Sequence, residues 1–173
     1  CLQQPPPYEG LIAPWLYQPP LSRLLLGLKF ERQLLYGRVL GGLLADRLQG
    51  AIDEPPDVIV PVPLHPLRER SRGYNQALEL ARPIAAQLQR PLDLGLCARI
   101  LMTAKQSQLH ADQRHRNMRG AFTVRAGPMP SHVALVDDVV TTAATVTELA
   151  TVLKQAGVRR VSVWAVARTV VRR

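Results

Sequence analysis

The stretch His132-Val133-Ala134-Leu135-Val136, running straight into Asp137-Asp138-Val139-Val140-Thr141-Thr142-Ala143-Ala144-Thr145, decides how this chain is read. Its first five residues are apolar and β-branched enough for a buried strand. From Thr142 to Gln155 the apolar residues fall at helical spacing until Gly157 stops them, and Val161 to Ala167 is a second buried strand. Strand, helix and strand at this spacing form a right-handed βαβ unit. Ligands of open parallel sheets bind at the carboxyl ends of the strands. The Asp137–Thr145 loop falls at such an end. Two adjacent carboxylates there are costly to desolvate unless sugar hydroxyls, a divalent cation or a basic partner uses them. The threonines and small alanines that follow open a helix whose free N–H groups suit a phosphate. The plain alternative is that Asp138 or Thr141 caps the helix and Asp137 pairs with a surface arginine. Capping needs one such residue, whereas this loop supplies two acids and three threonines.

Upstream, Asp57 to Pro63 reads as another buried parallel strand, followed by an arginine-rich loop from Leu64 to Tyr74 that carries Arg68, Arg70 and Arg72. Asn75 is placed to cap a helix running to Leu88, with Pro83 expected to kink it. Cys97–Leu101 and Ala121–Val124 are weaker strand candidates. Between them, Thr103–Arg119 is polar and lacks apolar periodicity, and it reads as a long loop. Toward the amino terminus, Pro5–Pro7, Pro14, Pro19 and Pro20 impose an extended leader in which Trp15–Tyr17 is the plausible strand. Helical runs follow at Leu21–Phe30 and Leu34–Leu48, the second interrupted by Gly37, Gly41 and Gly42. The expected fold class is therefore α/β, a mostly parallel sheet with helices on both faces. Residues 1–55 form an amino-terminal segment with two helices, and residues 56–173 form the core.

The chain's 173 residues fit one main domain, and 47% hydrophobic with 20% charged residues exclude a disordered chain. Lysine and arginine total 22 against 13 acids, a formal charge of +9, which points to an anionic partner without choosing among nucleic acid, phosphorylated small molecules and membrane surfaces. Two cysteines, Cys1 and Cys97, do not make a disulfide framework, so a reducing cytoplasm is the expected compartment. No apolar run reaches membrane-span length. A chain opening on Cys1 is expected to be part of something longer.

The run V-A-L-V-D-D-V-V-T-T-A-A-T resembles the phosphoribosyl-pyrophosphate motif of type I phosphoribosyltransferases. Together with I-V-P-V-P-L-H, R-S-R-G-Y-N-Q-A, Q-S-Q-L and R-x-R-N-M-R-G-A-F, in that order, the chain resembles the ComF family of competence and DNA-utilisation proteins. The resemblance implies a type I phosphoribosyltransferase-like fold that binds phosphoribosyl pyrophosphate or another ribose phosphate. It implies that Asp137 and Asp138 hold the ribose hydroxyls and, through them or water, a magnesium ion. Val139, Thr141, Thr142, Ala143, Ala144 and Thr145 would complete the ligand loop, with the threonines and the alanine amides on the 5-phosphate. Leu64, His65, Arg68, Arg70 and Arg72 would form the pyrophosphate loop, where the planar guanidinium suits phosphate oxygens. Lys105 and Arg114, in a mobile loop, would be catalytic by stabilising departing pyrophosphate. Zinc belongs to an amino-terminal cysteine module of which Cys1 would be the last member. Single-stranded DNA, competence proteins and a second copy of the chain are the further partners it allows, and a non-catalytic binding or scaffold role, or a precursor-sensing regulator, stands beside the enzyme. His65, His110 and His115 read as surface residues rather than proton carriers, and Trp15 and Trp164 as packing. The chain departs from the family pattern at Ala143, where glycine is usual and where alanine resists positive φ.

Overall fold

The computed structural model describes residues 5–102 and 118–169. In chain order the elements are β1 (Gly10–Ile12), β2 (Trp15–Leu16), α1 (Leu21–Phe30), α2 (Leu34–Gln49), β3 (Val58–Pro61), α3 (Pro66–Arg72), α4 (Gln76–Leu88), β4 (Cys97–Arg99), β5 (Phe122–Val124), β6 (His132–Val140), α5 (Ala144–Gln155) and β7 (Arg160–Arg168).

Five strands form one wholly parallel sheet in the order β1-β7-β6-β3, with β2 joining β7 on the same edge as β1. The alternation of side chains along β6 sorts the core into two layers. Val133 and Leu135 point toward α5 and toward Met118 and Phe122. Ala134 and Val136 point toward residues of α1, α2 and α4. Along β7, Val161, Val163 and Ala165 serve the first layer, and Trp164 and Val166 the second. Helices therefore cover both faces, as the unbroken apolar character of these strands requires. Trp164 is a core residue, 1% exposed.

Several elements differ from the sequence reading. Strand β6 does not stop at Val136 but continues through Val140, because β7 keeps pairing with it at Asp137↔Ala165, Val139↔Ala167 and Val140↔Arg168. The helix after it starts at Ala144 rather than Thr142. The Leu64–Tyr74 segment is not all loop. His65 Nδ1 accepts from the Leu67 amide at 3.3 Å, Pro66 opens the first turn, and Gly73 ends the helix in the left-handed region. β4 and β5 pair antiparallel in a separate two-stranded sheet, since each is short and neither reaches the main one. β1, unmarked by any apolar run, completes the edge beside β7.

Asn75 caps α4 as expected. Its Oδ1 accepts from the Ala77 amide at 3.0 Å while its Nδ2 donates to the Val62 carbonyl at 3.0 Å, tying the end of β3 to the helix. α4 continues through Pro83. That proline packs against Gly41 of α2, where a Cβ would stand 2.4 Å from the Leu80 carbonyl oxygen and 2.5 Å from Pro83 Cγ. The glycine that weakens α2 locally is what lets the two helices touch. Among the described residues, no helix is long and apolar enough to cross a membrane.

Candidate functional site

A cleft of about 1530 Å³ opens at the carboxyl ends of β2, β3, β6 and β7, where Tyr17, Val62, Asp137 and Thr169 line it. Strand β3 ends at Pro61, opposite Val136, and the last bond across that edge runs from the Val62 amide to the Val136 carbonyl at 2.9 Å. Beyond Val136, β6 rises past its shorter neighbour. Asp137 and Asp138 thus sit on a ledge rather than in a floppy loop.

The pleat sends the two carboxylates to opposite layers. Asp138 continues the Ala134–Val136 face and meets Lys29 of α1, whose Nζ donates to Oδ2 at 3.1 Å. Asp138 is 4% exposed. Burial alone would raise its pKa, but the Lys29 charge, hydrogen bonding with Asp137 and the Lys29 hydrogen bond bring it below the ordinary carboxylate value. Asp137 continues the Val133–Leu135 face and is half-buried, with Oδ1 accepting from the Asp138 amide at 2.8 Å. Burial, reinforced by the neighbouring Asp138 charge, pushes its pKa well up. The pair therefore holds one ionised and one readily protonated carboxyl, able to accept and to donate hydrogen bonds.

In the sequence, Lys29 stands out only as the charge that breaks an apolar run. Desolvation lowers its pKa, yet Asp138 and Asp137 together more than reverse this and raise it. The Tyr74 hydroxyl donates to the Leu28 carbonyl and holds this end of α1 over the cleft. Arg99, on the short strand β4, also lines the cleft. Burial and the nearby Arg68 charge lower its pKa to about 10, against the opposing pull of Asp137. Neither residue carries a motif signal, because each reaches the acids only through long-range packing.

After β6, Thr141 and Thr145 line the cleft, and Ala143 and Ala144 border a small recess beside Asp137 and Val139. Thr142 Oγ1 is buried with no hydrogen-bond partner among the described protein atoms. Ala143 has φ 59° and ψ 7°, the left-handed conformation that favours glycine. Its backbone turn aims the first-turn amides of α5 at the recess. From the arginine-rich segment, Leu64, Arg68 and Arg72 line the cleft, whereas Arg70 does not, and His65 is spent on capping α3. Arg72 donates to Gln76 Oε1 and stacks its guanidinium 5.8 Å from the Phe30 ring centre. Lys105, Arg114, His110, His115 and Cys1 lie outside the described residues.

Among curated proteins, the DNA utilization protein YhgH of Salmonella typhi is 39% identical over 173 residues, covering 98% of this chain and 76% of that protein. The same protein of Escherichia coli K12 is 39% identical over 175 residues, with the same shares covered. Competence protein F of Haemophilus influenzae is 35% identical over 175 residues, covering 97% of this chain and 76% of its own length. This chain belongs to the ComF family. Identity at this level across nearly the whole chain carries the family motifs with it, so membership of ComF rests on similarity along the chain rather than on one loop. A comparison with protein-family models finds no match. Two solved structures share the general chain path: a Thermus thermophilus protein (TM-score 0.44, 23% identity, 75% of this chain and 72% of that one) and a purine phosphoribosyltransferase from Pyrococcus horikoshii Ot3 (TM-score 0.43, 16% identity, 76% and 80%). Both likenesses are loose and say nothing of the site of this ComF chain.

Proposed function

We propose that this chain binds phosphoribosyl pyrophosphate in the cleft above β6. The observation that carries the reading is the ledge of Asp137 and Asp138, two adjacent carboxyls of opposed pKa beside the recess at the first turn of α5. One accepting and one donating carboxyl match a vicinal diol, whose hydroxyls both donate and accept. The turn from Thr141 to Thr145 takes the 5-phosphate on its hydroxyls and on the first amides of α5. Arg68 and Arg72 face the same cleft and supply forked donors for pyrophosphate.

Magnesium fits this donor set in a particular way. Among the described residues, no group of three His, Cys, Asp or Glu side chains could form a protein cage. Two carboxyls suit an ion that keeps waters and substrate oxygens in its shell, with Asp137 and Asp138 holding it directly or through water. When bound, it neutralises charge on the pyrophosphate. With a nucleophilic acceptor, a bond to the anomeric carbon forms as the bond to pyrophosphate breaks, and Lys105 and Arg114 are the residues proposed to meet that leaving charge. The names of the relatives support a setting in DNA utilisation or competence.

One observation favours a second reading, a platform for single-stranded nucleic acid. Phe30 is 67% exposed at the cleft mouth with Arg72 over its ring, a stacking surface beside a phosphate-binding cation. Loss of oligonucleotide binding in Phe30→Ala, with phosphoribosyl pyrophosphate binding kept, would separate the two.

Thermal shift provides the test. Phosphoribosyl pyrophosphate with magnesium raises the melting temperature of the unaltered chain, as any ligand selective for the folded state does. Thr141→Val with Thr145→Val removes most of that rise. An equal rise in both proteins would contradict the assignment of the 5-phosphate.

A further inference from the structure

Helix α2 turns one side to the core, burying Gly37, Leu40, Gly41, Leu44, Ala45 and Leu48. Its other side is apolar too. Leu35, Val39 and Leu43 are 64%, 49% and 48% exposed and follow one another at four-residue spacing, which stacks them along one stripe. None of the α2 residues lines the cleft.

The three interior glycines of this helix are not equivalent. A Cβ on Gly37 would stand 2.9 Å from Glu79 Cβ, and one on Gly41 would strike Leu80 and Pro83, so contact with α4 explains both. Gly42 faces outward, and a Cβ there would meet nothing within 4 Å. Internal packing gives no reason for it, although glycine inside a helix costs about 0.5–1 kcal/mol relative to alanine. A bare backbone at the centre of an exposed apolar stripe allows another backbone to come close. The charges around it complement themselves. Arg38 and Asp46 are both exposed and lie four residues before and after Gly42. Asp46 Oδ1 accepts from Gln87 Nε2 at 2.6 Å, which fixes the carboxylate on this side.

We propose that α2 packs antiparallel against α2 of a second copy of this chain, on a two-fold axis passing at Gly42. That operation sets Arg38 of each copy against Asp46 of the other, twice, and lays the Leu35–Val39 end of each stripe over the Leu43 end of its mate. A two-fold interface needs this kind of self-complementary patch. A parallel arrangement would place like charges together. Because the cleft lies elsewhere on the chain, dimerisation leaves both binding sites open and does not depend on the ligand proposed above.

Sedimentation velocity over a roughly hundredfold range of protein concentration tests this, since a dimer of this kind must respond to dilution. The unaltered chain shifts from monomer to dimer as concentration rises. Arg38→Glu and Asp46→Arg each weaken the dimer by about tenfold or more. The double variant, in which the two charges are exchanged, recovers it. Circular dichroism melts keep misfolding apart from lost association. A chain that stays monomeric throughout, a dimer indifferent to either single reversal, or a double variant that fails to recover would each overturn the proposal.

Discussion

Ala143 sits where the backbone bends left-handed between β6 and α5, with φ 59°. An L-residue with a Cβ pays about 1–2 kcal/mol there. Ala143→Gly relieves that strain but gives the unfolded chain more freedom, by about 0.4–1 kcal/mol. The balance favours the variant by roughly 0.5–1 kcal/mol, read as a higher urea midpoint at unchanged slope. Phosphate-ligand affinity in Ala143→Gly should be equal or better, since only a methyl beside the recess is lost. At Asp137 the sign runs the other way with pH. Its folded pKa is raised above the unfolded value of about 3.9, so its contribution is intact below that pH and is lost as pH rises through the folded value. In metal-free buffer without ligand, Asp137→Asn should therefore melt higher than the parent at neutral pH, with the advantage vanishing below about pH 4. Asp138, held low by Lys29, contributes in the opposite sense, and Asp138→Asn should melt lower at neutral pH. Calorimetric scans across the pH range read both.

At the scale of elements, the contact between α2 and α4 depends on Gly41. Gly41→Ala forces a methyl against the Leu80 carbonyl and Pro83, and should cost about 1–3 kcal/mol of stability, measured by urea unfolding. This contact also shows why some elements are legible in the sequence and others are not. The helix boundaries at Leu21–Phe30 and the Asn75 cap follow from local chemistry, and the structure has them where the residues imply. β1 carries no local signal, because three residues beginning at Gly10 become a strand only when β7 is there to pair with. β4 and β5 are legible as strands, but their antiparallel pairing and their separation from the main sheet are long-range facts that no local pattern encodes. The α3 turn reads as loop because it is short and its faces carry no apolar stripe, although His65 and Pro66 together are a capping signal.

Across the whole molecule, the acid pair and the threonine turn are readable because they are contiguous. What the sequence hides is the surrounding charge. Lys29 lies 109 residues from Asp138, and only the packing of α1 on the β6–β7 layer brings them within 3.1 Å. Arg99 reaches the same cleft from a separate two-stranded sheet. The three arginines after β3 look equivalent in the sequence, but the turns of α3 bring Arg68 and Arg72 to the cleft and turn Arg70 away. The site is thus a ledge of two carboxyls walled by cations from both layers, and the central claim is that this ledge holds a phosphorylated ribose. The direct test is calorimetric titration of phosphoribosyl pyrophosphate with magnesium into the unaltered chain and into a variant carrying Asp137→Asn and Asp138→Asn. Saturable binding by the first that disappears in a folded second is the predicted result. Binding of equal strength in both, or none by the unaltered chain, would contradict it.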